Sequence, residues 1–404
     1  MIIYLKRRNA MKVLFVTNQY PSERYPYKGS FIYTQASEIK KHLDDLIVLA
    51  PNYGKESNYQ ITNGIKVYRF QTFTKPTSDP LLRELFKGLS GLFSLLFFII
   101  FQTISIIKIT KKEEIDLLHA HWILPSGFSS YLASIVTGKK LVITTNGSDL
   151  TYCGKNKFLR KFVCFVLSRI SKLICVSNNL NIIAKQICSN NFSSQTILIG
   201  VPNYISKKTG QLSNLDEKGI KSKFQLIFIG SLYPIKGIKY LLESISILSS
   251  KRQDFILNII GGGDALSIYD KYVTDNNLEE FIIFHGFKPH DVALNFLRQA
   301  DVAIQASLSE GQSVFIQESV YLGKAIIATD VGGTNEIVID DYNGILIKPK
   351  KSQLIAEKID LLLSNPQKIV QFSKNSLIIA KKKLMLENNM ASVVDIYRHV
   401  LKTN

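Results

Sequence analysis

Short apolar runs alternate along the chain with stretches of helical period. Lys12–Asn18 (KVLFVTN) is a compact apolar run closed by turn residues, and it predicts a strand buried on both faces. Leu46–Ala50, Ile65–Phe70, Asp116–His119, Lys140–Thr145 and Leu173–Val176 have the same character, with helical patterns such as Phe31–Leu43 and Phe158–Ser171 between them. Strand and helix in alternation predict a parallel sheet covered on both faces. The pattern then starts again. Gln225–Gly230, Ile256–Gly261, Phe281–His285, Val302–Gln305 and Ala325–Thr329 read as strands, separated by helices such as Tyr240–Ser250 and His290–Gln299. The polar stretch Ser206–Ser222 (SKKTGQLSNLDEKGIKS) divides the two sets and reads as a linker. The expected class is α/β: two doubly wound, Rossmann-like domains facing across a cleft. Their bounds are 1–205 and 206–385, followed by a closing segment, 386–404, whose helix Ala391–Leu401 crosses back to the first domain. Ligands of such sheets bind beyond the carboxyl ends of the strands.

Leu89–Ile107 (LSGLFSLLFFIIFQTISII) breaks the rhythm, because it approaches the ~20 apolar residues of a membrane span. Ser90, Gly91, Ser94, Gln102, Thr103 and Ser105 interrupt it, and it lies inside the first set of strands. A true span there would split that domain across a bilayer. Two placements remain: a helix packed on the sheet that offers a greasy outer face to a membrane, or a wholly buried crossover helix. Lys87 and Lys108–Lys112 flank it, as anionic lipid would favour.

Composition sharpens this picture in three ways. A length of 404 residues suits two domains, and 46% apolar with 20% charged residues is globular. The net charge of +18 is uneven: residues 1–200 hold 26 Lys/Arg against 11 Asp/Glu, and residues 201–404 hold 24 against 21. No zinc-finger, RNP or basic-helix signature accompanies the excess, so no nucleic-acid partner is expected, and an anionic membrane surface is the better candidate. Cys153, Cys164, Cys175 and Cys188 form no CxxC pair and have no histidine at metal-ligand spacing, so they are expected as reduced, buried thiols. Met1–Ala10 (MIIYLKRRNA) runs apolar then basic, the reverse of a secretory signal, and Met11 opens a strand well enough to be the true start. The expected location is cytoplasmic, on the inner face of the plasma membrane where it is peripheral.

The candidate chemistry lies after the strands. In Glu310–Glu318 (EGQSVFIQE), Gly311 lets the backbone approach a ligand, and the amides of Gly311, Gln312 and Ser313 would open a helix whose dipole favours an anion. Glu310 and Glu318 could meet the two ends of one hydroxyl-rich ligand. Asp330–Glu336 (DVGGTNE) sets Gly332 and Gly333 at another helix start. Lys236, in Gly230–Gly237 (GSLYPIKG), could neutralise a leaving diphosphate. Ile259–Asp264 (IIGGGD) is a further glycine loop without the dinucleotide spacing. In the first half, Lys28–Ser30 (KGS) precedes a helix, while His119–Gly127 (HAHWILPSG) and Thr145–Asp149 (TNGSD) follow strands. His119 and His121, two apart, are expected on opposite sides of their strand, which argues against a paired metal site.

The order of these motifs resembles the retaining glycosyltransferases of family 4, which have the GT-B fold. The resemblance runs from Lys12 to about Pro349. It implies a nucleoside-diphosphate sugar as donor substrate, with no cofactor and no bound metal, and an acceptor site in the first domain; the basic first domain and the greasy Leu89–Ile107 helix point to a saccharide or lipid-linked saccharide acceptor of bacterial surface polysaccharide synthesis. The resemblance implies Glu318 on the ribose, Lys236 on the diphosphate, and Glu310 with the backbone of Gly311, Gln312, Ser313 and Val314 around the sugar. Ser231 and Gly262 would line the donor site, Gly29 would approach it from the first domain, and His121 would touch the transferred hexose. Asn146 and Asp149 fall on the acceptor side. The chain departs from the family at Ser231, where arginine is usual, at Asn146, where histidine is, and at Asn203-Tyr204, where Asn-Gly is. No carboxylate nucleophile is identifiable, so the resemblance favours front-face attack with retention. A catalytically weak relative that binds donor or membrane within a complex, and a nucleotide-sugar epimerase, are the alternatives. A dehydrogenase would need GxGxxG after the first strand, and KVLFVTNQYPS lacks it.

Overall fold

The structure, a computed structural model, describes residues 11–54, 56–72, 88–153, 156–189, 191–203, 205 and 223–403. Met1–Ala10, Lys87, Tyr204 and the linker Ser206–Ser222 lie outside the described residues, as does the Cys153 side chain.

The chain forms two compact units. The first joins residues up to Ile199 with Leu386–Asn404, and the second is Gly200–Met385. The first unit therefore ends before position 205. The Gly200 amide donates to Gln317 Oε1, and the Val201 amide donates to the Leu384 carbonyl, so this stretch is tied to the second unit.

The first unit carries eight strands: β1 (Lys12–Val16), β2 (Asp45–Asn52), β3 (Tyr59–Thr62), β4 (Ile65–Gln71), β5 (Leu117–His121), β6 (Lys140–Thr145), β7 (Lys172–Cys175) and β8 (Ser194–Thr196). Their order is β3-β4-β2-β1-β5-β6-β7-β8, parallel except for the β3–β4 hairpin. The central strands are apolar throughout because both faces are covered. One face holds a core from Leu14, Val16, Ile47, Phe98, Leu118 and Ile143. The other holds Val13, Phe15, Ile32 and Leu117, together with Leu386, Val393 and Tyr397 from the far end of the sequence. The helices of this unit are α1 (Ser30–Lys40), α2 (Leu89–Lys112), α3 (Phe128–Thr137), α4 (Ser148–Cys153), α5 (Lys157–Leu167) and α6 (Asn178–Cys188). Asn156 and Ser177 cap α5 and α6 by accepting from amides of the first turn.

The structure decides between the two placements of one helix in this unit and corrects the reading of the cysteines. Helix α2 is not a wholly buried crossover: Phe98, Gln102 and Ile106 face the core, while Leu92, Phe93, Leu96 and Ile100 are exposed. Nor are the cysteines all reduced, since Cys164 on α5 and Cys188 on α6 are joined in a disulfide and Cys175 is the free, buried thiol among the described residues. The helical pairing of α5 with α6 brings together positions that spacing alone left unrelated.

The second unit is a parallel sheet of β9 (Phe224–Ile229), β10 (Phe255–Ile260), β11 (Ile282–Gly286), β12 (Val302–Gln305), β13 (Ala325–Thr329) and β14 (Gly344–Ile347). Its order is β11-β10-β9-β12-β13-β14. Its helices are α7 (Ile238–Ser249), α8 (Leu266–Asp275), α9 (His290–Gln299), α10 (Val314–Tyr321), α11 (Ser352–Leu363) and α12 (Pro366–Lys383). The last helix, α13 (Leu386–Lys402), belongs to the first unit.

Candidate active site

The second sheet changes direction between β9 and β12, and the crevice beyond such a switch point is where open α/β sheets take a ligand. Two loops leave the sheet there. One follows β9 through a tight turn, Pro234–Lys236, into α7; the other runs from Ala306 to Ser313 into α10. The Leu308 amide donates to the Ile235 carbonyl at 2.8 Å and ties them together. Lys236 Nζ reaches Glu310 Oε1 at 2.7 Å, and Ser307 Oγ donates to the same oxygen at 2.8 Å. Two residues 74 positions apart thus form one ion pair at the switch point. The carboxylate is buried and the lysine side chain is 29% exposed, so the ammonium keeps an open side.

The glycines around this pair bring backbones together. Gly332 has φ 60°, and a Cβ there would lie 1.8 Å from the Glu310 carbonyl oxygen; at Gly237, φ 68°, it would lie 1.9 Å from that of Ala306. The turn Asp330–Glu336 therefore braces the Glu310 loop, and it ends in a short 3-10 turn, Thr334–Glu336, instead of a helix start. Helix α10 also opens later than expected. Val314 is its first residue, Ser313 caps it by accepting from the Ile316 amide at 3.3 Å, and the Gly311 carbonyl accepts from the Gly333 amide. The helix-start amides are thus those after Ser313, not those of Gly311 and Gln312. The buried Gln312 amide has no hydrogen-bond partner on either atom among the described residues.

Glu318 lies within α10, buried, with His290 Nε2 at 2.6 Å from its Oε1. This hydrogen bond pushes the His290 imidazole above its ordinary value of 6.5, against the opposing effect of burial. His290 was missed at the level of sequence, although a histidine opening a helix just after a strand was the available signal. Ser231 sits in the loop after β9, where the Leu232 amide donates to the Gly262 carbonyl at 3.0 Å. Gly262 in turn lies against the ring of Phe287, a residue 65% exposed.

The first sheet has its own switch point, between β1 and β5. Gly29, φ 68°, precedes α1 beside the Gln19 carbonyl after β1. His121 ends β5, fully buried, with neither ring nitrogen partnered among the described residues. Burial draws its pKa down to about 3, so the ring is neutral at physiological pH. His119 and His121 are not on opposite sides of the strand. Their rings lie 4.7 Å apart, because a strand's two-residue period returns i and i+2 to one face. His119 is nonetheless committed elsewhere: Nδ1 is 2.5 Å from the Tyr397 hydroxyl and Nε2 is 2.7 Å from Thr144 Oγ1. No group of three His, Cys, Asp or Glu among the described residues is arranged to hold a metal ion.

Asp149 is buried and accepts from the Ile123 amide (2.8 Å), Thr145 Oγ1 (2.7 Å) and the Gly147 and Leu150 amides. Burial raises its pKa while these bonds lower it. Its oxygens are taken up in fixing the loop after His121 to the loop after β6. Asn146 beside it has no partner on either side-chain polar atom among the described residues. The structure thus joins Lys236 with Glu310, and Glu318 with His290, inside one unit, and it places His121, Asn146, Asp149 and Gly29 at the strand ends of the other.

The family description "Glycosyl transferase 4-like" matches residues 28–177, and "Glycosyl transferases group 1" matches residues 213–377. An uncharacterized glycosyltransferase of Methanocaldococcus jannaschii is 29% identical over 378 residues, covering 92% of this chain and 94% of its own. A putative teichuronic acid biosynthesis glycosyltransferase of Bacillus subtilis is 28% identical, covering 86% and 88%. Among solved structures, HepE of Anabaena in complex with UDP and glucose superposes with a TM-score of 0.71 at 18% identity, over 96% of this chain and 99% of that one. The fold is that of GT-B glycosyltransferases, each unit carrying a parallel, Rossmann-like sheet.

Proposed function

Because the chain belongs to the group 1 glycosyltransferases, we propose that it transfers a hexose-type sugar from a nucleoside diphosphate to a saccharide or lipid-linked saccharide, with retention of anomeric configuration. The observation that carries this reading is the Lys236–Glu310 pair at the switch point of the second sheet. When the glycosyl bond breaks, negative charge develops on the departing diphosphate. Lys236 neutralises that charge from its open side without a divalent ion, while the Glu310 carboxylate keeps the ammonium in place. Glu318 accepts from the ribose diol once His290 swings aside or shares the carboxylate. The neutral His121 donates or accepts a hydrogen bond at the sugar without carrying charge. Glu310 is held by Lys236 and Ser307, and Asp149 by four donors, so neither is poised as a nucleophile. Front-face attack follows, in which the acceptor hydroxyl bonds to the anomeric carbon as the diphosphate leaves and its oxygen takes the proton. A surface polymer is the acceptor class most in keeping with the Bacillus relative's description.

Thermal unfolding with UDP, GDP, ADP and CMP tests the donor site, on the wild type and on Glu318→Ala. A ligand at 100 times its Kd stabilises by about 2.7 kcal/mol, so one nucleotide should raise the wild-type Tm and leave the variant unmoved. Turnover of the matching sugar nucleotide should survive a chelator and fall at least about 100-fold in kcat for Lys236→Ala. Binding without turnover in the wild type would instead favour a weak relative, the reading for which Ser231 in place of the usual cation speaks. Epimerised donor without acceptor would favour the epimerase.

A further inference from the structure

Helix α2 is apolar nearly all round, with a mean hydropathy of 2.2 over its most apolar 18 residues, yet only 28% of that window is buried. A surface helix ordinarily turns polar residues outward. Here Leu92, Phe93, Leu96 and Ile100 are 41–58% exposed on the side away from the sheet. The surface does not end with α2. Thr103 Oγ1 meets the Ser129 carbonyl on α3, and Phe128 and Tyr131 of α3 pack edge-on against Phe162 and Phe165 of α5. The exposed Ile135 and Val136 of α3 and Phe158 and Phe165 of α5 extend the apolar area. Contiguous apolar area of this kind marks an interaction surface.

Charge decides the occupant. α2, α3 and α5 contain no Asp or Glu, although Glu113 and Glu114 follow α2, and they carry Lys108, Lys111, Lys157 and Lys161. Just beyond α5, the Arg169 guanidinium lies 3.8 Å over the Phe165 ring, an apolar body with a cationic tip. A second copy meeting this face would set like charge against like charge. An anionic headgroup layer attracts each such cation, and the acyl boundary takes the apolar side chains. Crossing the bilayer is excluded by packing. Phe98, Ile106 and Ile109 are part of the sheet's core, and Gln102 Nε2 donates to buried Ser126 Oγ at 3.0 Å.

We propose that the outward faces of α2, α3 and α5 form a docking surface for a lipid bilayer with anionic headgroups, on which the first unit lies without spanning it. The same helix reaches the candidate site: Ser126, held by Gln102, donates to Asn18 after β1, at the carboxyl edge where His121 ends β5. The surface stands on its own apart from the donor chemistry.

Flotation of the full chain with phosphatidylcholine vesicles, with and without phosphatidylglycerol, tests it. Binding should require phosphatidylglycerol and weaken with salt. Phe93→Gln with Ile100→Gln should lower binding about tenfold or more, at an unchanged Tm that certifies the fold. Lys157→Gln with Lys161→Gln should lower it separately and flatten the salt dependence. No binding of the wild type to phosphatidylglycerol vesicles would overturn the proposal, as would binding unaffected by both variants. So would a dimer in sedimentation that the Phe93/Ile100 variant dissolves. None of these outcomes depends on nucleotide binding or turnover.

Discussion

Single residues in this protein are set by burial more than by exposed charge. His121 is held at about 3 and His119 well below 6.5, both chiefly by desolvation, so the native state carries two neutral imidazoles. The unfolded chain protonates them near 6.5. Their stability contribution is therefore complete above pH 6.5 and is lost as pH falls below it, for His121 down toward about 3. Between pH 6.5 and about 5, above the carboxylate range, each should cost up to about 1.4 kcal/mol per pH unit. His121→Gln should flatten the fall of Tm over that window relative to wild type, and an equal slope in both would show that His121 is not desolvated in solution. His290 has the opposite sign. Its raised pKa gives stability below 6.5 that is lost as pH rises through the raised value, but its side chain is 48% exposed, so solvent screening holds the effect within about 1 kcal/mol.

At the scale of elements, sequence patterns located the strands that lie buried in the middle of each sheet, because such strands read as unbroken apolar runs. They found the edge strand β11 but missed three others, β3, β8 and β14. β3 (YQIT) pairs antiparallel at the rim, and its turn, Asn63-Gly64 with both φ angles positive, was the legible hairpin signal. β8 (SQT) is short and polar, so no periodicity announces it. The EGQSVFIQE helix was legible as a whole but not its first residue, because Ser313, by capping, defers the start to Val314. The glycine turns were legible as turns, but not their purpose, since the partner of Gly332 is the Glu310 carbonyl, distant in sequence. Gly332→Ala tests that partner. The left-handed backbone alone costs about 1–2 kcal/mol, and the Cβ must also displace the Glu310 loop. The variant should unfold at lower temperature and lose the nucleotide-induced rise in Tm. A loss of stability with the nucleotide response intact would separate the brace from the site.

The molecule as a whole is two units cut from the chain in three pieces, and the third piece argues most directly for how the first unit holds together. Pattern alone gave Ala391–Leu401 as a helix, whereas α13 begins at Leu386 and enters the core of the first sheet. Leu386, Met390, Val393, Val394, Ile396, Tyr397 and Val400 are all buried there. Burying a large apolar side chain is worth roughly 1.5–3 kcal/mol, so seven such residues contribute on the scale of a domain's entire net stability, about 5–15 kcal/mol. Tyr397 adds the hydrogen bond that orients His119 beside His121, so the last turns of the chain reach the candidate site of the unit formed by its first half. A chain ending at Met385 should therefore lose the folded first unit while the second, complete from Gly200 to Met385, keeps its own transition. Tyr397→Phe isolates the polar contribution. It should lower stability by about 1 kcal/mol or somewhat more, because it leaves a buried His119 nitrogen unpartnered. Two calorimetric transitions in the full chain, with only the second surviving truncation, would establish that the first unit is closed by α13; retention of both would show that the first unit folds from its own half of the sequence.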